Sequence, residues 1–228
     1  MTTAFVTGAN KGIGFALAEE LLKKNFRVIV GARDFKRGSD AVKVLSEFGD
    51  VHLQLIDMAD LKSIRSAAND VEKNFGDLTL LINNAGIAGD MNKIAWEFTA
   101  QELIDVYTVD FIGAFELTKN LLPLIEKNHG RIVNITMPTN ATEFFHPLAY
   151  QAAKAPMNIM IDNFAFEFVQ RQMFAQIFGL MPGVVSTDLN NHIQGAYVKT
   201  PAQAAKQMIE IISDSKNLNG KIIDVDRI

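Results

Sequence analysis

Apolar residues in this chain cluster in short unbroken runs, and each run is followed by a stretch with helical periodicity. The first run, Ala4-Phe5-Val6, leads through Thr7-Gly8-Ala9-Asn10-Lys11-Gly12-Ile13-Gly14 into a helical stretch over 15–24. The pattern then predicts a strand over 27–30, a helix over 39–48, a strand over 51–56 and a helix over 60–75 with Asp60 as its cap. A fourth strand covers 78–82, and 96–126 holds a long helix or a broken pair with Pro123 near its end. A strand over 131–136, a helix over 148–170, a strand over 175–180, a helix over 201–213 and a last strand over 221–225 complete the succession. Continuous apolar strands are what a parallel sheet covered on both faces requires. The prediction is a doubly wound α/β fold of about seven parallel strands with helices on both faces. In such a sheet ligands bind at the carboxyl ends of the strands.

Composition narrows the class without changing the fold. The chain of 228 residues is 48% hydrophobic and 21% charged, the balance of one ordinary globular domain over residues 1–228, with no repeat. A formal net charge of −4 offers no general attraction to nucleic acid or to an anionic membrane. The absence of cysteine excludes disulfides, thiol catalysis and thiolate-bound zinc. His52, His129, His146 and His192 lack metal-ligand spacing, so no metal is expected. The first strand begins almost at the start of the sequence, leaving no room for a signal peptide, and no apolar run is long enough to span a bilayer, so a cytoplasmic location is expected. Two glycosylation sequons, at Asn134 and Asn140, are then chance matches.

The candidate chemistry begins in the opening loop. Gly8, Gly12 and Gly14 are spaced G-x-x-x-G-x-G, which is neither the G-x-G-x-x-G fingerprint nor a P-loop, since Lys11 precedes Gly12 rather than following it. Glycines concentrated before a helix let the backbone turn tightly and approach a ligand, and the helix start aims free N–H groups at it. A phosphate is the expected guest, and a tight turn with no ligand is the other reading of the loop alone.

Three further motifs follow later strands in order: Asn83-Asn84-Ala85-Gly86, then Tyr150 and Lys154 four residues apart, then Pro182-Gly183-Val184-Val185-Ser186-Thr187-Asp188. Together with the opening loop they resemble the short-chain dehydrogenase/reductase family over essentially the whole chain, most of all its carbonyl reductase branch. The resemblance implies a Rossmann-type domain that binds a nicotinamide dinucleotide. The loop Gly8, Asn10, Lys11, Gly12, Ile13 and Gly14 would lie near the pyrophosphate, and Asp57 and Met58 would flank the adenine. Asn84, Ala85 and Gly86 would lie against the cofactor, with Pro182, Gly183, Val185 and Thr187 beside the nicotinamide. By spacing alone Asp34 is a candidate acid for a ribose hydroxyl. The family pattern puts that acid at the position of Ala32, whereas Arg33 and Arg37 offer cationic forks to a 2'-phosphate. NADP(H) is therefore the expected cofactor, with NAD(H) as the alternative.

Tyr150 and Lys154 share a helix face, and a fixed ammonium beside a phenol lowers its pKa from about 10 toward a range useful for proton transfer. The resemblance makes Tyr150 the proton donor to a carbonyl oxygen and has Lys154 also hold the nicotinamide ribose. Two positions depart from the family. Counting back thirteen residues from Tyr150, where the family has a serine, reaches Met137, which cannot donate a hydrogen bond. Thr136 or Thr139 could stand in, although a one-residue shift in a strand turns a side chain to the other face. The family's asparagine in the middle helix is Asp110, whose carboxylate could keep the backbone role or pair with Lys154.

Phe144, Phe145 and His146 precede the tyrosine and are candidates to wall an apolar substrate. The long insertion of the branch is lacking there, which frees the helices over 96–126 and 148–170 for the family's interface, with Phe164, Phe166 and Phe168 on a buried or shared face. A homodimer or homotetramer is expected. The functional expectation is a reductase of a small aldehyde, ketone or quinone, and the alternative is a cofactor-binding sensor or partner protein that has lost turnover through Met137 and Asp110. A methyltransferase on a related sheet is disfavoured, since it has no use for the Tyr/Lys pair.

Overall fold

The computed structural model describes residues 2–143 and 145–227. Seven parallel strands form one sheet in the order β3-β2-β1-β4-β5-β6-β7. They are β1 Thr3–Thr7, β2 Arg27–Ala32, β3 Val51–Leu55, β4 Leu78–Asn83, β5 Arg131–Ile135, β6 Gln176–Met181 and β7 Ile222–Asp224. The chain winds outward one way from β1 and returns to β4 on its other side, so strand order reverses between β1 and β4. That reversal opens the crevice in which a doubly wound sheet binds ligands.

Helices cover both faces because successive strand residues point to opposite sides. Ala4 and Val6 of β1 pack with α1 (Gly12–Lys23) and α7 (Pro201–Ile212) in one apolar cluster. Phe5, between them, joins the opposite cluster with α3 (Leu61–Asn74), α5 (Gly113–Lys127) and α6 (Leu148–Gln170). α3 is capped by Asp60, whose carboxylate accepts the Lys62 N–H at 2.8 Å.

One helix differs from the sequence expectation. The helix expected over 39–48 is α2, Phe35–Leu45, which starts four residues earlier. Asp34 caps it by accepting the Arg37 N–H at 2.8 Å, and Gly38 is tolerated inside it because the helix lies hard against β3. A Cβ on Gly38 would come within 2.5 Å of Leu53.

The stretch over 96–126 is a broken pair. Trp96 sits in a separate short turn, Ala95–Glu97, and α4 (Ala100–Tyr107) starts at a capping box between Thr99 and Glu102. α4 then passes into α5 through a π-helical turn, Thr108–Ile112, a widening often found at functional sites. The start of α5 lies close against the segment after β3, where a Cβ on Gly113 would come 2.4 Å from the Met58 carbonyl oxygen.

Candidate active site

The cradle at the crevice is built by the first loop and the end of β4. Gly8 and Gly12 take the left-handed conformation, with φ of +66° and +59°. At Gly14 the constraint is space, since a Cβ would meet the Asn84 side-chain nitrogen at 2.5 Å and the Gly8 carbonyl oxygen at 2.6 Å. The Thr7 hydroxyl accepts the Asn84 and Ala85 N–H groups, both at 3.0 Å. The Asn84 amide donates in turn to the Thr7 carbonyl at 2.9 Å. Gly14 and Asn84 are thus a packing pair that fixes the loop on the sheet.

A cleft of about 500 Å³ runs along this cradle. Gly8, Asn10, Lys11, Gly12 and Ile13 line one end, and Asn84, Ala85 and Gly86 form its floor. Arg33, Asp57 and Met58 line it at the ends of β2 and β3. Arg37, in the first turn of α2, is exposed and does not reach the cleft wall, while Asp34 is used as the helix cap. Of the two arginines expected at a 2'-phosphate, the cleft therefore presents Arg33.

The segment after β6 divides in the same way. Thr187 lines the cleft, whereas Pro182 and Val185 are buried and Gly183 packs beside Asp226. The neighbouring Asp188 has a role the sequence did not disclose. It joins Lys11 at 2.5 Å and His192 at 2.7 Å, tying the glycine loop to the loop after β6 across the cleft mouth. The Lys11 ammonium holds the Asp188 carboxyl below the usual carboxylate range. No local pattern signals a pair separated by 177 positions.

At the other end of the cleft stand Tyr150 and Lys154, on the first two turns of α6. Tyr150 is half-buried, and the Lys154 ammonium lies 5.4 Å from its ring centre. Lys154 is 2% exposed and donates to the Ile135 carbonyl at 3.2 Å. Asp110 is fully buried behind it in the π-helical turn. Its Oδ1 accepts the Ile87 N–H at 2.7 Å, and its Oδ2 lies 3.3 Å from the ammonium.

These three groups set one another's protonation. Burial pushes Asp110 up against the pull of Lys154. Burial works to lower Lys154, but the attraction of Asp110 and Tyr150 outweighs it and the ammonium is held above its ordinary value. Tyr150 is pushed up by burial and by Asp110, with Lys154 opposing. The lysine was expected to bring the phenol down. The direction is reversed because packing around the phenol strips away much of its water and the lysine carries its own counter-charge.

Thr136 does not enter the cleft. It is buried on the α6 side, where its hydroxyl donates to the Asn158 side chain at 2.6 Å. Asn158 also donates to the Met137 carbonyl, at 3.3 Å. Met137 is 8% exposed, and Thr139 is exposed on the following loop outside the cleft wall. Neither threonine supplies the missing donor in this geometry. Phe145 and His146 are exposed, and Phe144 lies outside the described residues. Phe164, Phe166 and Phe168 do not share a face. Phe168 is buried, Phe164 packs partly into the core and Phe166 is 63% exposed, as a spacing of two on a helix of 3.6 residues per turn demands.

The family model for short chain dehydrogenases matches residues 2–198. Carbonyl reductase [NADPH] 1 of Mus musculus is 41% identical over 135 residues, which are 58% of this chain and 48% of that protein. The match thus spans about half the length of that reductase. The 3-oxoacyl-[acyl-carrier-protein] reductase of Haemophilus influenzae is 30% identical over 188 residues, 82% of this chain and 75% of that one. The crystal structure of an NADPH-bound carbonyl reductase from chicken fatty liver superposes with a TM-score of 0.88 at 24% identity, covering 99% of this chain and 96% of the other. Matched through both its ordered motifs and its strand order, the chain belongs to the short-chain dehydrogenase family.

Proposed function

We propose that this protein is an NADP(H)-dependent oxidoreductase that reduces a small aldehyde, ketone or quinone, with Tyr150 as proton donor. The observation that carries this reading is the cleft itself, in which the glycine cradle and the Tyr150/Lys154 pair line one continuous wall. Bound there, the dihydronicotinamide would supply hydride to the carbonyl carbon. The chain's own part is to hold and orient. Lys11, Gly12 and Ile13 face a pyrophosphate, and Arg33 offers a planar fork to a 2'-phosphate at the end of a strand that lacks the competing acid at Ala32. Tyr150 gives its phenolic proton to the substrate oxygen and recovers one from solvent. The mouse relative's name specifies NADPH, which agrees with the choice of cofactor.

The same reading takes residues 1–228 as one NAD(P)-binding domain acting in the cytoplasm on a small molecule, as a homodimer or homotetramer, without nucleic acid or membrane. Among the described residues no helix is long and apolar enough to cross a membrane.

A titration of the protein with NADPH and NADH, followed by a carbonyl panel with wild type and Tyr150→Phe, tests the proposal. Tighter binding of NADPH and a turnover that Tyr150→Phe removes while leaving binding intact are the expected results. A second reading, a cofactor-binding sensor or partner protein, is favoured by one observation: Met137 offers no donor and the Thr136 hydroxyl is committed to Asn158. Binding of NADPH with no turnover across the panel would select it.

A further inference from the structure

Asp110 is a buried ionisable group that the proton transfer above leaves without a role. The Ile87 N–H fixes its Oδ1, so its Oδ2 faces the Lys154 ammonium at 3.3 Å and has no aligned hydrogen-bond partner among the described residues. Room for that oxygen depends on Gly86, where a Cβ would lie 2.7 Å from it. A lone ammonium beside a phenol favours the phenolate, but an ammonium and a carboxylate in contact present a dipole whose field falls off faster.

Lys154 and Asp110 are the charges that act on the phenol, and on the segment leading into α6 the exposed His146 turns its Nδ1 to the Thr142 carbonyl at 3.1 Å. In α4, which packs on α6, Glu102 is engaged by Lys93 and Asp105 by Gln101. β6 carries no charged residue, and Arg131 of β5 is bound at the far end of its strand to the carbonyls of Ile212, Asp214 and Lys216. Across the cleft, Lys11 is paired with Asp188, and Arg33 and Asp57 stand at the ends of β2 and β3.

Resting on the carbonyl-reductase reading, we propose that Asp110 is a positioning residue that cancels the charge of Lys154 and holds Tyr150 as the neutral phenol, the form that donates a proton in carbonyl reduction, to higher pH. Reduction consumes a phenolic proton, with hydride from the dihydronicotinamide reaching carbon and the proton reaching oxygen. A cancelled lysine keeps that donor form available over a wider range of pH, and the pH at which reduction falls off reports it. Burial of Tyr150 acts in the same direction.

The test is an absorbance titration of the protein without cofactor, in which the Tyr150 phenolate is isolated as the difference between each protein and its Tyr150→Phe counterpart. Asp110→Asn preserves the shape and the acceptor for Ile87 while removing the charge. Its phenolate midpoint is expected to fall by about one pH unit or more, which is tenfold more phenolate at a fixed pH. In turnover assays the high-pH limb of the reduction profile, where the phenolic proton is lost, should move down by about the same interval. A midpoint that stays or rises overturns the proposal.

The double variant Asp110→Asn/Lys154→Met supplies an independent arm if Asp110→Asn alone does not fold. Two charges that cancel can be lost together with a change of less than about half a unit, and a larger rise overturns the proposal. Because the absorbance needs no turnover, it reports on Asp110 even in a protein that reduces no carbonyl. Failure of the activity reading and failure of this inference are therefore distinguishable.

Discussion

On the proposed carbonyl-reductase reading, Met137 is the residue at which the chemistry is weakest. A thioether offers no proton to a developing oxyanion, and the adjacent hydroxyl of Thr136 is turned toward α6, where it donates its hydrogen bond to the Asn158 amide oxygen. Met137→Ser is expected to raise kcat/KM for carbonyl reduction by roughly tenfold to a hundredfold, equivalent to about 1.4–2.8 kcal/mol of barrier. Initial rates of NADPH consumption for the two proteins check it, and an unchanged rate would mean that a group other than Met137 faces the substrate oxygen. Asp34 illustrates the opposite case, a residue whose spacing advertises a role that its geometry spends elsewhere. Its carboxylate is the acceptor that starts α2.

At the scale of elements, that cap has a measurable consequence. Asp34→Ala should lower stability by about 1 kcal/mol through loss of the N-cap, leaving the preference between NADPH and NADH unchanged. Denaturant unfolding together with the two cofactor titrations checks both halves, and a changed preference would return Asp34 to the ribose site.

A second contact joins two helices. Glu116 of α5 meets Arg65 of α3 at 2.7 Å and Lys119 at 2.5 Å, and is itself 5% exposed. Lys119 first, then Arg65, hold its pKa at about 2. A carboxylate depressed in the folded state contributes stability above its unfolded pKa and loses it as pH falls through the folded value. Wild type should therefore lose stability between about pH 5 and pH 2 more steeply than Glu116→Gln, as measured by unfolding at a series of pH values. Parallel curves for the two proteins would assign the acid sensitivity to other groups.

For the whole molecule, the outer face of α6 raises the question of assembly. Ile159, Phe166 and Val169, spaced seven and three apart, are 61%, 63% and 66% exposed on one side of that helix. Such a stripe on a helix that packs its opposite side into the core suits the proposed homo-oligomer. Phe166→Asp should shift the protein toward monomer at a concentration where wild type is dimeric or tetrameric, measured by sedimentation velocity, with the fold intact by circular dichroism. A wild type that sediments as a monomer at all concentrations would refute the proposed assembly.

The sequence by itself determined the order of strands and helices, the parallel sheet, the glycine cradle and the Tyr150/Lys154 pair. All of these rest on short-range physics: the period of apolar positions, the freedom of glycine and the four-residue pitch of a helix. Even the missed start of α2 had a local sign in Asp34. Only the tertiary structure decided that Lys11 is tied to Asp188, that Thr136 serves Asn158, and that Asp110 is shut away from water against Lys154. Each of these joins residues distant in the chain, and the last depends on solvent exclusion by several elements at once. A charge changes its meaning with the dielectric and the partners around it, and neither is encoded in the residues beside it.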